Sequence, residues 1–256
     1  MAIVGKNEKK IWTDNLYIYE AASSVLDAKI KLVKMEYDRK FRPEGYSEIQ
    51  KISSRIKSLD SIAGKLEKDG YNFSMESVDD HIHDVVGHRI VCLTLNDLTV
   101  FAKLFSESIY NTEAFKLLGY KDFISKPKES GYRSLHLRVG VPVTFSEEHH
   151  DVVCEVQLRT TCMDSWAQLE HSVGYKRNKK NANEIQAFID SLSQQFSMYG
   201  SFGDNIDKMA SSVLLPSGQV ITYDDVIKLI REKVICSNST EDLKESETGI
   251  LVKVKK

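Results

Sequence analysis

The 256-residue chain has little proline and little cysteine, four of each. No two cysteines stand in a CxxC or other zinc-type spacing, which excludes a zinc ribbon and a disulfide framework. Cys92 and Cys154 lie inside apolar strand patterns and read as buried thiols, which suits a reducing compartment. The chain also lacks a net charge of either sign: 35 basic and 37 acidic residues leave −2. No global basic field draws it to nucleic acid, so any anion site must be a local cluster. It lacks a long apolar run, and residues 1–10 are too polar for a secretory signal, so the expected location is the cytoplasm. No internal repeat is present. The 41% of hydrophobic residues suffices for one large domain or two small ones.

The apolar spacing predicts a long helix over 8–37, with a stripe of Leu16, Ile18, Tyr19, Ala22, Val25, Leu26 and Ile30, continued by Leu32, Val33 and Met35. Lys34 lies on its last turn, where a lysine commonly complements the helix dipole. Ser58 reads as the N-cap of a helix over 59–68, which places Ser61 and Lys65 four apart on one face. If 48–57 is extended, Arg55 and Lys57 share a face. These four residues fit a polyphosphate at a helix start, and equally a solvated charged surface. The run from Ile90 to Leu95 predicts a buried strand, with Asp84 and Arg89 at its entrance. A carboxylate there serves as a metal ligand or a turn cap. His81-x-His83-Asp84 has no second histidine motif to complete a metal phosphohydrolase centre. Asn96 is the expected N-cap of a helix over 96–108, and a short strand is expected near 115–123.

Two strands have polar faces. The loop Lys126-Pro-Lys-Glu-Ser-Gly131 carries turn residues and leads into a strand over 132–140. There Leu135, Leu137 and Val139 point one way, and Tyr132, Ser134, His136 and Arg138 the other. A ring to stack on a base beside cations such as Lys126 and Lys128 suits a nucleotide, although an ordinary half-buried strand with a basic face fits too. After a Glu- and His-rich loop over 146–151, a strand over 152–159 alternates again. Glu155, Gln157 and Arg159 line up on one face, a costly arrangement on a central strand unless they bind something. A helix over 162–175 follows, with Trp166 and Leu169 inward. Then come the basic run Lys176–Lys180, a helix over 183–209, a capping pattern at Thr222-x-x-Asp225 and a polar, mobile segment over 236–249.

Taken together, these motifs resemble the synthetase domain of the RelA/SpoT family, specifically its single-domain small alarmone synthetases. The matching residues are Arg55-x-Lys57-x-x-x-Ser61-x-x-x-Lys65, Asp84-x-x-Gly87-x-Arg89, and Lys126-Pro-Lys-x-x-Gly-Tyr-Arg-Ser-Leu-His136. They continue with Glu155-x-Gln157-x-Arg159-Thr160, Trp166-Ala-x-Leu-Glu-His171 and Tyr175-Lys176, so that about 30–180 is covered. Each motif is weak alone, and their common order carries the resemblance.

The resemblance implies an α+β fold: a nucleotidyltransferase-like mixed β-sheet flanked by helices, with extra N- and C-terminal helices. It implies a synthetase domain over 1–212; residues 213–256 exceed the family's minimal form and read as a C-terminal extension, partly helical and mobile. It also implies transfer of pyrophosphate from ATP to the 3′-hydroxyl of GDP or GTP, giving ppGpp or pppGpp and AMP. Lys34, Arg55, Lys57, Ser61, Lys65 and Arg89 would hold ATP. Asp84 and Glu155 would bind Mg2+, with Glu155 also a general base. Tyr132 would stack on guanine, with Lys121, Lys128, His136, Gln157 and Arg159 around the acceptor. A homotetramer is expected by analogy. Glu129-Ser130 departs from the family's usual loop, and Lys121 stands where many relatives have an arginine. Those departures keep two alternatives open. One is a toxic relative acting on the tRNA 3′ end or on an adenosine nucleotide, with Lys176–Lys180 serving RNA. The other is a non-catalytic nucleotide or RNA sensor.

Overall fold

Trp12, Tyr19, Ala22, Leu26, Ile30, Val33 and Tyr37 recur at spacings of three, four and seven, and all are buried along α1 (Lys6–Phe41). Val25, Leu32 and Met35, expected in the same stripe, lie off it and are exposed, Leu32 at 61% and Met35 at 67%. The computed structural model describes residues 5–41, 47–112, 114–175, 213–238, 243–245 and 251–253. The expected helix over 183–209 and the run Lys176–Lys180 lie outside them.

After α1 come β1 (Ile49–Ile56), α2 (Leu59–Lys68), α3 (Met75–His81), β2 (Val86–Cys92), α4 (Leu95–Tyr110), β3 (Lys116–Asp122), β4 (Leu135–Thr144), β5 (His149–Thr160) and α5 (Thr161–Tyr175). Ser58 caps α2 as expected, its side chain accepting from the Ser61 amide. The cap of α4 is Thr94 and not Asn96. Thr94 accepts from the Asp97 amide while the Asp97 carboxylate accepts from the Thr94 amide, closing a reciprocal box. Helix entry at Thr94 also shortens β2, so the buried strand runs Val86–Cys92 rather than on to Leu95. The second half of the loop expected over 146–151 is strand. β4 and β5 pair down to Thr144 opposite His149, leaving only a tight turn.

The sheet order is β1-β2-β5-β4-β3, extended at the β3 edge by β9 (Leu251–Lys253) and β8 (Leu243–Glu245). β2 and β5 run parallel, and the other pairs are antiparallel. This is the mixed sheet expected for the α+β class. One face is apolar: Leu135, Leu137, Val139, Val152, Cys154, Val156 and Ile90 enter a single core with α1 and α4. A small hairpin, β6 (Val213–Leu214) and β7 (Val220–Ile221), leads into α6 (Tyr223–Ser237). The capping box at Thr222 and Asp225 forms as expected. Ile221, Val226, Ile230 and Val234 join the same core, so residues 213–238 pack onto the main body. Part of the segment expected to be mobile forms strand β8 against β9. No helix among the described residues is long and apolar enough to cross a membrane.

Candidate active site

The other face of the sheet is polar because of register. Residues paired across adjacent strands share a face. Lys121 on β3 pairs with His136 on β4, His136 with Gln157 on β5, and Gln157 with Arg89 on β2. One pleat further, Gly119, Arg138, Glu155, Gly87 and Arg55 form a second row across all five core strands. Gly87 presents no side chain there, and an added Cβ would come 3.9 Å from Arg55 Cγ. The two rows floor a cleft of about 920 Å³, walled by Lys65, His83, Asp84, Lys128 and Tyr132 among others.

Glu155 is the hub. Its Oε2 lies 3.3 Å from His136 Nδ1, and its Oε1 accepts from Gln157 Nε2 at 2.6 Å. Burial pushes its carboxyl up, but the His136 hydrogen bond and charge, with Gln157, outweigh that and bring it down to about 2. His136 Nε2 meets Tyr132 Oη at 2.7 Å, and Arg159 Nη2 donates to the same Tyr132 oxygen at 2.7 Å. Arg159 also donates to Gln157 Oε1 at 2.9 Å and to Asp164 Oδ1 at 3.1 Å. Asp164, near the start of α5, pairs with Arg89 at 3.2 Å as well. A continuous polar chain therefore runs from Glu155 through His136, Tyr132 and Arg159 to Asp164 and Arg89.

Asp84 stands just before β2, between Lys57 and Lys65, and accepts a hydrogen bond from each. Burial raises its pKa, but the hydrogen bonds and charges of those two lysines lower it by more, so the carboxyl stays below its ordinary value. Its charge reaches Glu155 and opposes it. His83, beside it, is pushed down to about 4 by burial and by the charges of Arg138, Lys65 and Lys121, so it is neutral. Among the described residues no three His, Cys, Asp or Glu side chains converge as a metal site. Two ionised carboxylates facing one cleft are nevertheless a sufficient protein share for Mg2+, which keeps waters and substrate phosphates as its other ligands. The donor set fits a hard divalent cation.

The loop before β4 is built for its turn. Gly131 has φ +77°, its amide donates to Lys128 O at 2.8 Å, and the Lys128 amide donates to Tyr132 O at 3.2 Å. This puts Lys128 Nζ 4.8 Å from the Tyr132 ring centre and 4.9 Å from that of Phe123. Arg159 lies 5.1 Å from the Tyr132 ring centre. A base stacking on Tyr132 must therefore take the place of one of these cations.

Of the residues singled out in the sequence, Arg55, Lys65, Asp84, Arg89, Lys121, Lys128, Tyr132, His136, Glu155, Gln157 and Arg159 line this cleft. Lys57 joins it through Asp84. Ser61 stays on the first turn of α2, its Oγ 2.8 Å from Ser58 Oγ. Lys34 is not brought to the cleft lining. It pairs with Asp38 on α1, which packs on the apolar side of the sheet. Three further residues, outside the motifs, contribute to the site. Phe123 sets its ring edge-on to Tyr132 and His136. Asp164 ties two arginines, a role signalled by a carboxylate in the first turn of a helix directly after Arg159. Arg138, on the polar face of β4, lines the cleft as well.

A cationic cleft holding two ionised carboxylates, laid over a mixed sheet with an aromatic ring at one end, defines an α+β protein built to handle nucleotide polyphosphates. The comparisons make the class specific. Residues 54–180 match the family model described as the region found in RelA / SpoT proteins. GTP pyrophosphokinase YwaC of Bacillus subtilis is 34% identical over 189 residues, 70% of this chain and 87% of the relative. The crystal structure of small alarmone synthetase 1 from B. subtilis bound to its product pppGpp superposes with a TM-score of 0.64 at 27% identity, over 78% of this chain and 98% of that one. Small alarmone synthetase 2 from the same organism gives 0.63 at 31% identity, over 78% and 98%. The chain belongs to the RelA/SpoT family.

Proposed function

We propose that this protein transfers the pyrophosphoryl group of ATP to the 3′-hydroxyl of GDP or GTP, giving ppGpp or pppGpp and AMP. The observation that carries the reading is Glu155: an ionised, half-buried carboxylate at the centre of a cation-lined floor, facing Asp84 on one flank and Tyr132 on the other. The family and its pyrophosphokinase relatives support it.

On this reading the donor lies over β1, β2 and α2. Arg55, Lys57, Lys65 and Arg89 neutralise its phosphates, and Ser61 presents its hydroxyl at the start of α2. Lys34, paired on α1, is left out. The guanine stacks on Tyr132 in the place of Lys128, whose ammonium then moves to the acceptor's phosphates. Gln157 and Arg159 hold Glu155 and Tyr132 in position, and His136 ties the two together. Glu155 takes the proton as the 3′-oxygen attacks the β-phosphorus of ATP. The bond from that phosphorus to the α–β bridging oxygen breaks, and AMP leaves. Mg2+, held by Asp84 and Glu155 when bound, supplies charge neutralisation on the phosphates. The cation-rich walls do the rest by positioning.

We infer that residues 1–212 form the catalytic unit and 213–256 an extension, which shares the core through Ile221, Val226, Ile230 and Val234. A homo-oligomer is part of the same proposal. It is supported by the exposed apolar Val25, Leu32 and Met35, spaced seven and three along α1.

The test is incubation of the purified protein with Mg2+, ATP and, in parallel, GDP, GTP, ADP or deacylated tRNA. The expected products are ppGpp or pppGpp with an equal amount of AMP. Label transferred only to tRNA or ADP would overturn the guanine acceptor. Absence of AMP in every reaction, from folded protein, would overturn enzymatic function.

A further inference from the structure

Arg138 is expensive where it stands. It sits on β4 directly across from Glu155 on β5 and Gly119 on β3, is 8% exposed, and lines the cleft. Its buried Nη2 has no hydrogen-bond partner. Glu155 directs its two oxygens to His136 and Gln157. Burial lowers the Arg138 pKa, and the Glu155 charge only offsets this. An incompletely paired buried cation costs stability, and an apolar side chain of similar size usually serves a fold better. Something other than folding accounts for a guanidinium here.

Its surroundings indicate what that is. Lys121, on the neighbouring strand, has its pKa lowered by burial and, despite Glu155, by the charges of Arg138, Lys65 and Lys128. His83, also within reach of Arg138 and Lys121, has a buried Nδ1 with no partner. Like charges crowded around one part of a cleft are relieved by a multiply charged anion with several acceptor oxygens.

The place of this cluster in the sheet selects the anion. Arg55 and Arg89 lie on β1 and β2, on the donor side of Glu155. Arg138 and Lys121 lie on β4 and β3, on the Tyr132 side. A nucleoside with its base on Tyr132 and its 3′-oxygen at Glu155 directs its 5′ chain over β3 and β4. We propose that Arg138, with Lys121, seats the 5′-phosphate chain of the acceptor nucleotide, so that acceptors with more 5′ phosphates are preferred. This rests on the function proposed above and adds a specificity-determining residue to it.

The test compares wild type, Arg138→Met and Arg138→Lys. Affinities for GTP, GDP and GMP are measured by calorimetry, and transfer rates from ATP with each acceptor. Wild-type affinity is expected to rise from GMP to GDP to GTP. Arg138→Met is expected to lose on the order of ten- to a hundredfold in GTP affinity, less for GDP and least for GMP. Arg138→Lys recovers part of the loss, and the Met variant melts no lower than wild type. Equal losses with all three acceptors, no loss, or a Met variant that melts well below wild type would overturn the proposal. Graded nucleotide binding without pyrophosphate transfer in the wild type would overturn the function while supporting the seat.

Discussion

Arg159 and Tyr132 are joined twice. The guanidinium donates to the phenol oxygen at 2.7 Å and also lies 5.1 Å from the ring centre. The same phenol oxygen meets His136 at 2.7 Å. The ring that would receive a base is thereby fixed to the histidine that holds the Glu155 carboxylate. Acceptor binding and the reacting carboxylate are parts of one hydrogen-bonded unit.

Replacing Tyr132 separates the two roles of that ring. Tyr132→Phe keeps the stacking surface and loses the hydroxyl, so transfer is expected to fall about tenfold through kcat. Tyr132→Ala removes the surface and is expected to raise the acceptor KM by about ten- to a hundredfold, with the ATP KM little changed. Steady-state kinetics with each substrate varied checks both.

Asp84 holds Lys57 and Lys65 together. Asp84→Asn keeps the shape and removes the charge. Transfer is expected to fall at least about a hundredfold, and more Mg2+ to be needed for what remains. Titrating Mg2+ against AMP release reads both effects. An unchanged Mg2+ requirement would remove Asp84 from the metal site.

Stability should decline in mild acid. His88 is buried between β2 and α1, and burial lowers its pKa from the ordinary 6.5 despite Asp27 and the Ser23 backbone. The unfolded chain therefore takes up this proton first. Stability is lost as pH falls below about 6.5, through the folded value. His83 acts in the same direction, down to about 4. The carboxylates Glu155 and Asp84, depressed in the fold, lose their contribution only below their ordinary values of 4.5 and 3.8. Thermal melts from pH 7.5 to 5 should show a falling midpoint in wild type. His88→Leu should show a shallower slope over that range, with the part due to His83 remaining.

Much of the site was legible because its signals are local. The alternation in β4 and β5 separates an apolar face from Tyr132, His136, Glu155, Gln157 and Arg159 without any knowledge of neighbours. Ser58 and the Thr222–Asp225 pair announce their helices in the same way. What stayed hidden depends on register or on reciprocal side chains. Thr94 rather than Asn96 starts α4 because Asp97 returns the hydrogen bond. The row Lys121, His136, Gln157, Arg89 exists only once four strands are aligned. Arg138 resembled a solvated arginine because alternation shows a face but not whether that face is covered. Trp12 and Tyr37 anchor α1 on the stripe that Val25, Leu32 and Met35 leave, a distinction set by what α1 packs on.

The most direct test of the whole account is Glu155→Gln. The amide keeps the side-chain volume and removes the negative charge that His136 and Gln157 surround. AMP and 3′-pyrophosphorylated guanosine nucleotide would be measured together, for wild type and variant, with thermal melts to confirm folding. The account predicts a folded variant whose output of both products falls by at least about a hundredfold. Near-normal turnover in the folded variant would contradict it and move the chemistry away from Glu155.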